Sequence, residues 1–403
     1  MKTNWQIGSL FGIPLFLDPL WFLILGLTTL NFGLAYQQWG TVAGWGAGLI
    51  MALLLFVSVL LHELGHSLVA QSQGIKVNSI TLFLFGGVAA IEEESETPGQ
   101  AFQVAIAGPA VSVILFFLLR LIATVIPDSN PLNEMTGDLS RINLVVALFN
   151  LIPGLPLDGG QILKAALWKI TGNRFQAVHW DSRSGQFLGY SAIALVFIIY
   201  FLTGEFITGL WVILIGWFVV RNANSYDHVT TLQETLLNLV AADSMTCNFR
   251  VVDAHQTLRE FADLYLLEKT LPEVYFAATD GCYRGLVRIN DLRNKERSEW
   301  ENQTLESIVH PLTAIPTVME SSSLVGVINK LETEQLPLIT VISSPDTVDG
   351  IIDGGDIVQA LAQRLNLPIT SSEIKRIKEE GNFPPGLQLG IIAQSLEKSS
   401  CPN

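Results

Sequence analysis

The sequence predicts a multi-domain protein. An α-helical polytopic membrane core of about six transmembrane helices comes first, and a soluble α/β portion follows. Three observations lead there. Hydrophobic residues make up 49% of the 403 and the mean hydropathy is +0.42, so part of the chain belongs in lipid. The long apolar runs all lie before about residue 221. After that point two stretches repeat one pattern: Gly285 and Gly350 are 65 residues apart, as are Asp291 and Asp356.

Residues 13–32 (IPLFLDPLWFLILGLTTLNF) form the first expected span, with Pro14 and Pro19 in its opening turns, where a helix tolerates proline best. Residues 44–70 form the second. The stretch 71–100 is not a span. From Thr81 to Ile91 it is rich in strand formers, it is interrupted by Gly86 and Gly87, and the acidic run Glu92 to Glu96 follows. This predicts strands bent at the glycine pair, dipping into the membrane or lying on it. Residues 101–126 form the third span, where Ala107-Gly108-Pro109-Ala110 supplies small residues for close helix packing. Residues 141–152 begin a fourth, which breaks at Pro153 and Pro156 and resumes after Asp158-Gly159-Gly160. Irregular backbone at that depth is tolerated only against protein or a wet cavity. Residues 185–203 and 206–220 complete the count.

The charges orient this core. With the N-terminus inside, the inner segments carry Lys2, Lys76, Lys164, Lys169, Arg174, Arg183 and Arg221, and the outer segments, about 33–43, 127–140 and 203–205, carry no Lys or Arg. Arg120 and Arg141, near outer ends of spans, are expected to snorkel outward. The expected location is therefore a cell membrane, multi-pass, with the N-terminus and the soluble portion cytoplasmic. No removable signal peptide is expected. The net charge of −14 argues against nucleic acid as a partner. Cys247, Cys282 and Cys401 show neither metal-site spacing nor a disulfide framework, and reduced thiols are expected.

The second span carries His62-Glu63-Leu64-Gly65-His66. On a helix, residues i and i+4 differ by about 40° of rotation, so both imidazoles share one face and can hold one metal. Neutral imidazoles suit Zn²⁺, and the adjacent Glu63 suits a general base acting on water. Three ionisable groups in a lipid-soluble helix are costly unless they are satisfied and used. A catalytic zinc commonly has three protein ligands. Asp158, at the break in the fourth helix, is the candidate for the third, with an N-cap role for the following helix as the competing reading. Asn150 is a second polar group just upstream. His179, His228, His255 and His310 show no ligand spacing.

The His-Glu-Leu-Gly-His motif, the Gly86-Gly87 segment, Ala107-Gly108-Pro109 and Asn150…Pro153…Pro156-Leu-Asp158-Gly159 together resemble the site-2 protease family of intramembrane metalloproteases, over residues 1 to about 221. The resemblance implies one zinc held by His62, His66 and Asp158, with Glu63 activating water and Asn150 positioning substrate or oxyanion. It also implies membrane-inserted strands that pair with an unwound substrate. The implied substrates are single-span membrane proteins such as anti-sigma factors, cut in regulated intramembrane proteolysis.

Residues 222–241 read as a linker with helical character. The repeats that follow, 242–298 and 304–366, each read as βαββα, with apolar helices near 256–268 and 322–333, and resemble a tandem pair of CBS domains. That resemblance implies an adenine nucleotide, with Asp291 and Asp356 as ribose contacts. The positions three residues earlier depart from the family's Ser or Thr: they are Arg288, which suits a phosphate, and Asp353, which repels one. A purely structural or homodimerising pair is the alternative. Residues 367–403 form a tail with one short helix, 371–380, and no assigned role. The leading expectation is a zinc metalloendopeptidase tuned by the CBS pair. Its rivals are a CBS-gated transporter or channel, in which His62, Glu63 and Asp158 line an ion path, and an inactive scaffold.

Overall fold

Capping residues, prolines and glycines set the element boundaries in the computed structural model, which describes residues 5–83, 86–92, 95–204, 209–265, 274–344, 347–380 and 389–400. It divides into two units, Met1–Thr230 and Thr231–Asn403.

The first unit opens with strands β1 (Trp5–Leu10) and β2 (Ile13–Leu17), an antiparallel hairpin. Its turn residues Phe11 and Gly12 both take positive φ, 50° and 79°, as a twist-matched two-residue hairpin loop requires. Here the structure corrects the expected first span. Ile13, Leu15 and Leu17 alternate inward at the period of a strand, so residues 13–17, Pro14 included, are sheet. The helix α1 begins only at Trp21, after Asp18 Oδ1 accepts from Leu20 N at 2.9 Å, and runs Trp21–Ala35. Helix α2 (Thr41–Ser72) follows, and the chain returns as β3 (Val77–Phe83), parallel to β2, and β4 (Gly86–Ile91), antiparallel to β3. The sheet order is β1-β2-β3-β4, with β4 at one edge. The strands expected around the glycine pair are thus present; Leu84, Phe85, Glu93 and Glu94 of that stretch lie outside the described residues. Ile13, Leu15, Val77 and Ile80 pack with Leu64 and Ala70 of α2, which locks the sheet onto the helix bearing the histidines.

Helix α3 (Pro98–Val125) starts with a capping box between Thr97 and Gln100. Helix α4 (Pro131–Asn150) is capped by Asn130 and started by Pro131. The chain then turns through 151–157 into α5 (Asp158–Thr171), the expected break. Helix α6 (Arg174–Thr203) is capped by Asn173, and α7 (Leu210–Asn238) carries the chain into the second unit, so the linker 222–241 is mostly helix. Among the described residues three helices are long and apolar enough to cross a membrane, at Thr41–Ser72, Pro98–Val125 and Arg174–Leu202; Trp21–Ala35 is apolar but shorter. Helix α4 is polar in its first half, and Arg141, just after it, pairs with Asp138 one turn earlier.

The second unit begins with α8 (Ala241–Ser244), β5 (Arg250–Asp253), α9 (Leu258–Tyr265), β6 (Tyr275–Thr279), β7 (Cys282–Val287), α10 (Ile289–Arg293) and β8 (Val309–Pro311). It continues with β9 (Thr317–Met319), α11 (Leu324–Thr333), β10 (Leu338–Ser344), β11 (Thr347–Asp353) and α12 (Gly354–Leu365). In each half the first strand is parallel to the second, the helix crosses between them, and the third strand is antiparallel to the second. The sequence repeat is therefore a structural repeat. Helices α13 (Ser371–Glu380) and α14 (Leu389–Ser400) close the chain. The sequence reading gave this tail no role, yet Ile377, Leu389, Ala393 and Leu396 sit in the core of the second half. Cys247 and Cys282 are unbridged and exposed; Cys401 lies outside the described residues.

Candidate metal centre

Helix α2 presents His62 and His66 on one face, both buried, at 3% and 8% exposure. Their Nε2 atoms are 3.3 Å apart. The start of α5 brings in Asp158, with Oδ2 3.0 Å from His62 Nε2 and Oδ1 3.4 Å from His66 Nε2. Bonds of ~2.0–2.1 Å from a tetrahedral zinc place neighbouring ligand atoms about 3.3 Å apart, so these three side chains fit one such ion. Asp158 is the first residue of α5, the N-cap position is Leu157, and no side chain caps that end. The Asp158 carboxylate is turned to the imidazoles instead of the helix terminus.

The other nitrogens of the two rings are also engaged. His62 Nδ1 lies 2.9 Å from Ser112 Oγ, and His66 Nδ1 lies 2.7 Å from the Val104 carbonyl, both on α3. With Nε2 turned to a metal, each Nδ1–H donates to these oxygens and fixes ring and tautomer. Gly108 explains how α3 comes so close. A Cβ there would collide with the Nε2 atoms of both histidines. From sequence Gly108 reads as a helix-packing residue and Ser112 does not stand out as a site residue. Its signal was present: Ser112 is the lone polar residue between Val104 and Leu119. We expect Ser112→Ala to weaken zinc binding by about 10–100-fold, and Ser112→Thr, which keeps a hydroxyl, to restore most of it. Competition with a chelator measures both, and unchanged affinity in the alanine variant removes Ser112 from this role.

Asn150 ends α4 with its Nδ2 3.3 Å from His62 Nε2, at the border of the ligand cluster. Glu63 is half-buried beside β4. A Cβ on Gly87 would collide with Glu63 Cγ and stand 3.1 Å from Cδ and 3.3 Å from Oε1. The second glycine of the pair thus leaves room for this carboxylate under an edge strand. Deeper between α2 and α4, Asn143 Nδ2 donates to Ser58 Oγ at 3.1 Å, a polar link the sequence reading did not pick out.

In the second unit, Asp291 is partly exposed, with Oδ2 2.7 Å from His310 Nε2. Its neighbours Arg288 and Asn290 line a cleft of about 250 Å³, together with Pro316, Pro337 and Thr340. Asp356 is 2% exposed and forms a capping box with Asp353 at the start of α12. Burial raises its carboxyl above the ordinary range, and the Lys378 ammonium opposes that rise.

Residues 50–141 and 135–181 match the profile of Peptidase family M50. The Synechocystis protein sll0528, which bears the name of a zinc metalloprotease, is 43% identical over 90% of this chain and 96% of its own length. Among solved structures, a site-2 protease from Methanocaldococcus jannaschii has 29% identity and a TM-score of 0.40, covering 56% of this chain and 95% of that one. A CBS-containing hemolysin-like protein of Oenococcus oeni has 21% identity and a TM-score of 0.27, covering 32% of this chain and 96% of that one.

Proposed function

Because the chain belongs to Peptidase family M50, the site-2 protease family of zinc metalloproteases, we propose that it cuts single-span regulatory proteins, such as anti-sigma factors, within their membrane segments. Family membership makes it an integral membrane zinc metalloprotease whose substrates are membrane-anchored, and it removes the motive for a transporter. The observation that supports the finer reading is that Glu63, next to His62 on α2, packs against Gly87 of the edge strand β4.

His62, His66 and Asp158 would hold the zinc, which when bound supplies Lewis acidity to the scissile carbonyl and acidifies water. The chain's own residues do the rest. A peptide bond in a helix is shielded by its hydrogen bonds, so the substrate must unwind locally. The outer edge of β4 offers backbone donors and acceptors to the unwound segment by strand addition. Glu63 takes the proton of the attacking water and passes it to the leaving nitrogen. Asn150 donates its amide N–H to the oxyanion. The test is cleavage of a single-span substrate by the reconstituted protein, with products identified by mass. The cut is expected inside the apolar segment. Gly87→Ala is expected to lower kcat by about 10²-fold with zinc retained, because it displaces the Glu63 carboxylate by an ångström-scale step. A Gly87→Ala enzyme with full kcat contradicts the arrangement.

We also read 242–298 and 304–366 as a CBS pair that tunes this activity from the cytoplasmic side, after the linker 222–241. The repeated strand order supports the pair, and the Lys and Arg distribution supports the side. An adenine nucleotide in the cleft beside Arg288 and Asn290, with its ribose at Asp291, is the regulatory ligand. It shifts the cleavage rate only by binding active and inactive arrangements unequally.

A further inference from the structure

The 65-residue offset aligns Arg288, Asn290 and Asp291 with Asp353, Gly355 and Asp356. The two sets have different surroundings. At the first, one Asp291 oxygen meets His310, and Arg288 and Asn290 line an open cleft. At the second, both Asp356 oxygens are taken: Oδ2 accepts from Asp353 N at 3.1 Å and Oδ1 accepts from Lys378 Nζ at 2.6 Å. Lys378 also stands 3.0 Å from Asp353 Oδ2. Its stem runs over Gly355, where a Cβ would meet Lys378 Cγ at 2.5 Å and Cε at 3.0 Å. In the first repeat that position is Asn290, and it faces the cleft.

Packing holds the lysine in place. Ile377, the preceding residue, is buried in the core of the second half, and α14 adds Leu389, Ala393 and Leu396 to that core. Asn329 Nδ2 donates to Glu397 Oε2 at 2.6 Å and ties α14 to α11. An exposed ion pair contributes little, but removing the partner of a buried carboxylate leaves an uncompensated charge. Recognition of a ribose needs a carboxylate that the sugar can reach, and Asp356 is 2% exposed, with an existing donor on each oxygen and Lys378 lying over it.

We propose that helix α13 is the resident occupant of the second repeated site, through Lys378, so that the pair takes a single adenine nucleotide, at the Asp291 half. This rests on the nucleotide reading above and gives the tail a role: it silences one of two duplicated sites.

The test titrates full-length, zinc-loaded protein with ATP and, separately, AMP in a calorimeter, and follows hydrogen exchange over 371–380. One equivalent per chain is expected. Asp291→Asn should weaken binding about tenfold or more, the worth of one charge-assisted hydrogen bond. Asp356→Asn should leave stoichiometry and affinity unchanged. Lys378→Met keeps the apolar stem and removes the charge, so exchange over 371–380 should rise while the first site still binds. Two equivalents in the wild type, loss of binding in Asp356→Asn, faster exchange over 371–380 on adding nucleotide, or unchanged exchange in Lys378→Met each overturns the proposal alone. Absence of uptake of either nucleotide by the wild type overturns the nucleotide reading, and the proposal with it.

Discussion

Glu63→Gln is expected to all but abolish cleavage while the protein keeps its zinc and its fold. Glu63 directly follows His62 in sequence, but about 100° of rotation per residue turns it from the face the two histidines share. The ligand cluster is made by His62, His66 and Asp158 without it. The amide of glutamine fills the same space beneath Gly87 and cannot accept a proton, so the change isolates the proton transfer. General acid–base catalysis is worth about 10²–10⁴-fold, and in the proposed mechanism one group serves both the attacking water and the leaving nitrogen, so the loss is expected at the upper end. Turnover of a single-span substrate and zinc content are measured on the same preparations, with His66→Ala as the metal-loss control. Retained turnover, or zinc loss matching that control, removes Glu63 from the role of base.

Most of the centre was legible because its parts obey local rules. A helical i, i+4 pair must share a face, and a carboxylate at a helix break inside an apolar region needs a partner. What could not be read was anything decided by one helix touching another. Ser112 and the Val104 carbonyl meet the imidazoles only because Gly108 lets α3 approach α2, and a glycine in an apolar helix announces closeness without naming the neighbour. Sequence alone extends the first span back to residue 13 because residues 13–17 are as apolar as a helix start, and only their period-two burial marks them as sheet. Sequence gives the tail no role although Leu389, Ile392, Ala393 and Leu396 have helical spacing, since a short amphipathic helix does not reveal which core receives it. Sequence already favours Asp291 over Asp356, because Asp353 adds negative charge beside the second; what it does not show is that Lys378, 22 residues beyond Asp356, is bonded to that carboxylate.

Asp158→Ala is expected to strip the zinc, whereas Asn150→Ala keeps it and loses turnover. The two residues flank the same turn and lie at similar distances from His62 Nε2, 3.0 Å for Asp158 Oδ2 and 3.3 Å for Asn150 Nδ2. Their chemistry separates them. A carboxylate offers lone pairs and charge to a cation, and Asp158 reaches both histidines, one with each oxygen. The alanine variant leaves two imidazoles, too few for a closed three-ligand set. Even an outer-shell loss costs about 10–100-fold in metal affinity, so loss of this ligand should cost more than about 100-fold. The Asn150 amide nitrogen is a donor, suited to developing negative charge on the substrate. Removing one such donor costs about 10²–10³ in kcat and leaves metal affinity unchanged. Zinc affinity by chelator competition and kcat at saturating substrate, measured on both variants, give a double dissociation. Zinc lost from Asn150→Ala makes the amide part of the metal's shell. Full zinc and activity in Asp158→Ala reduce that carboxylate to a helix-start residue whose position beside two histidines has no catalytic consequence.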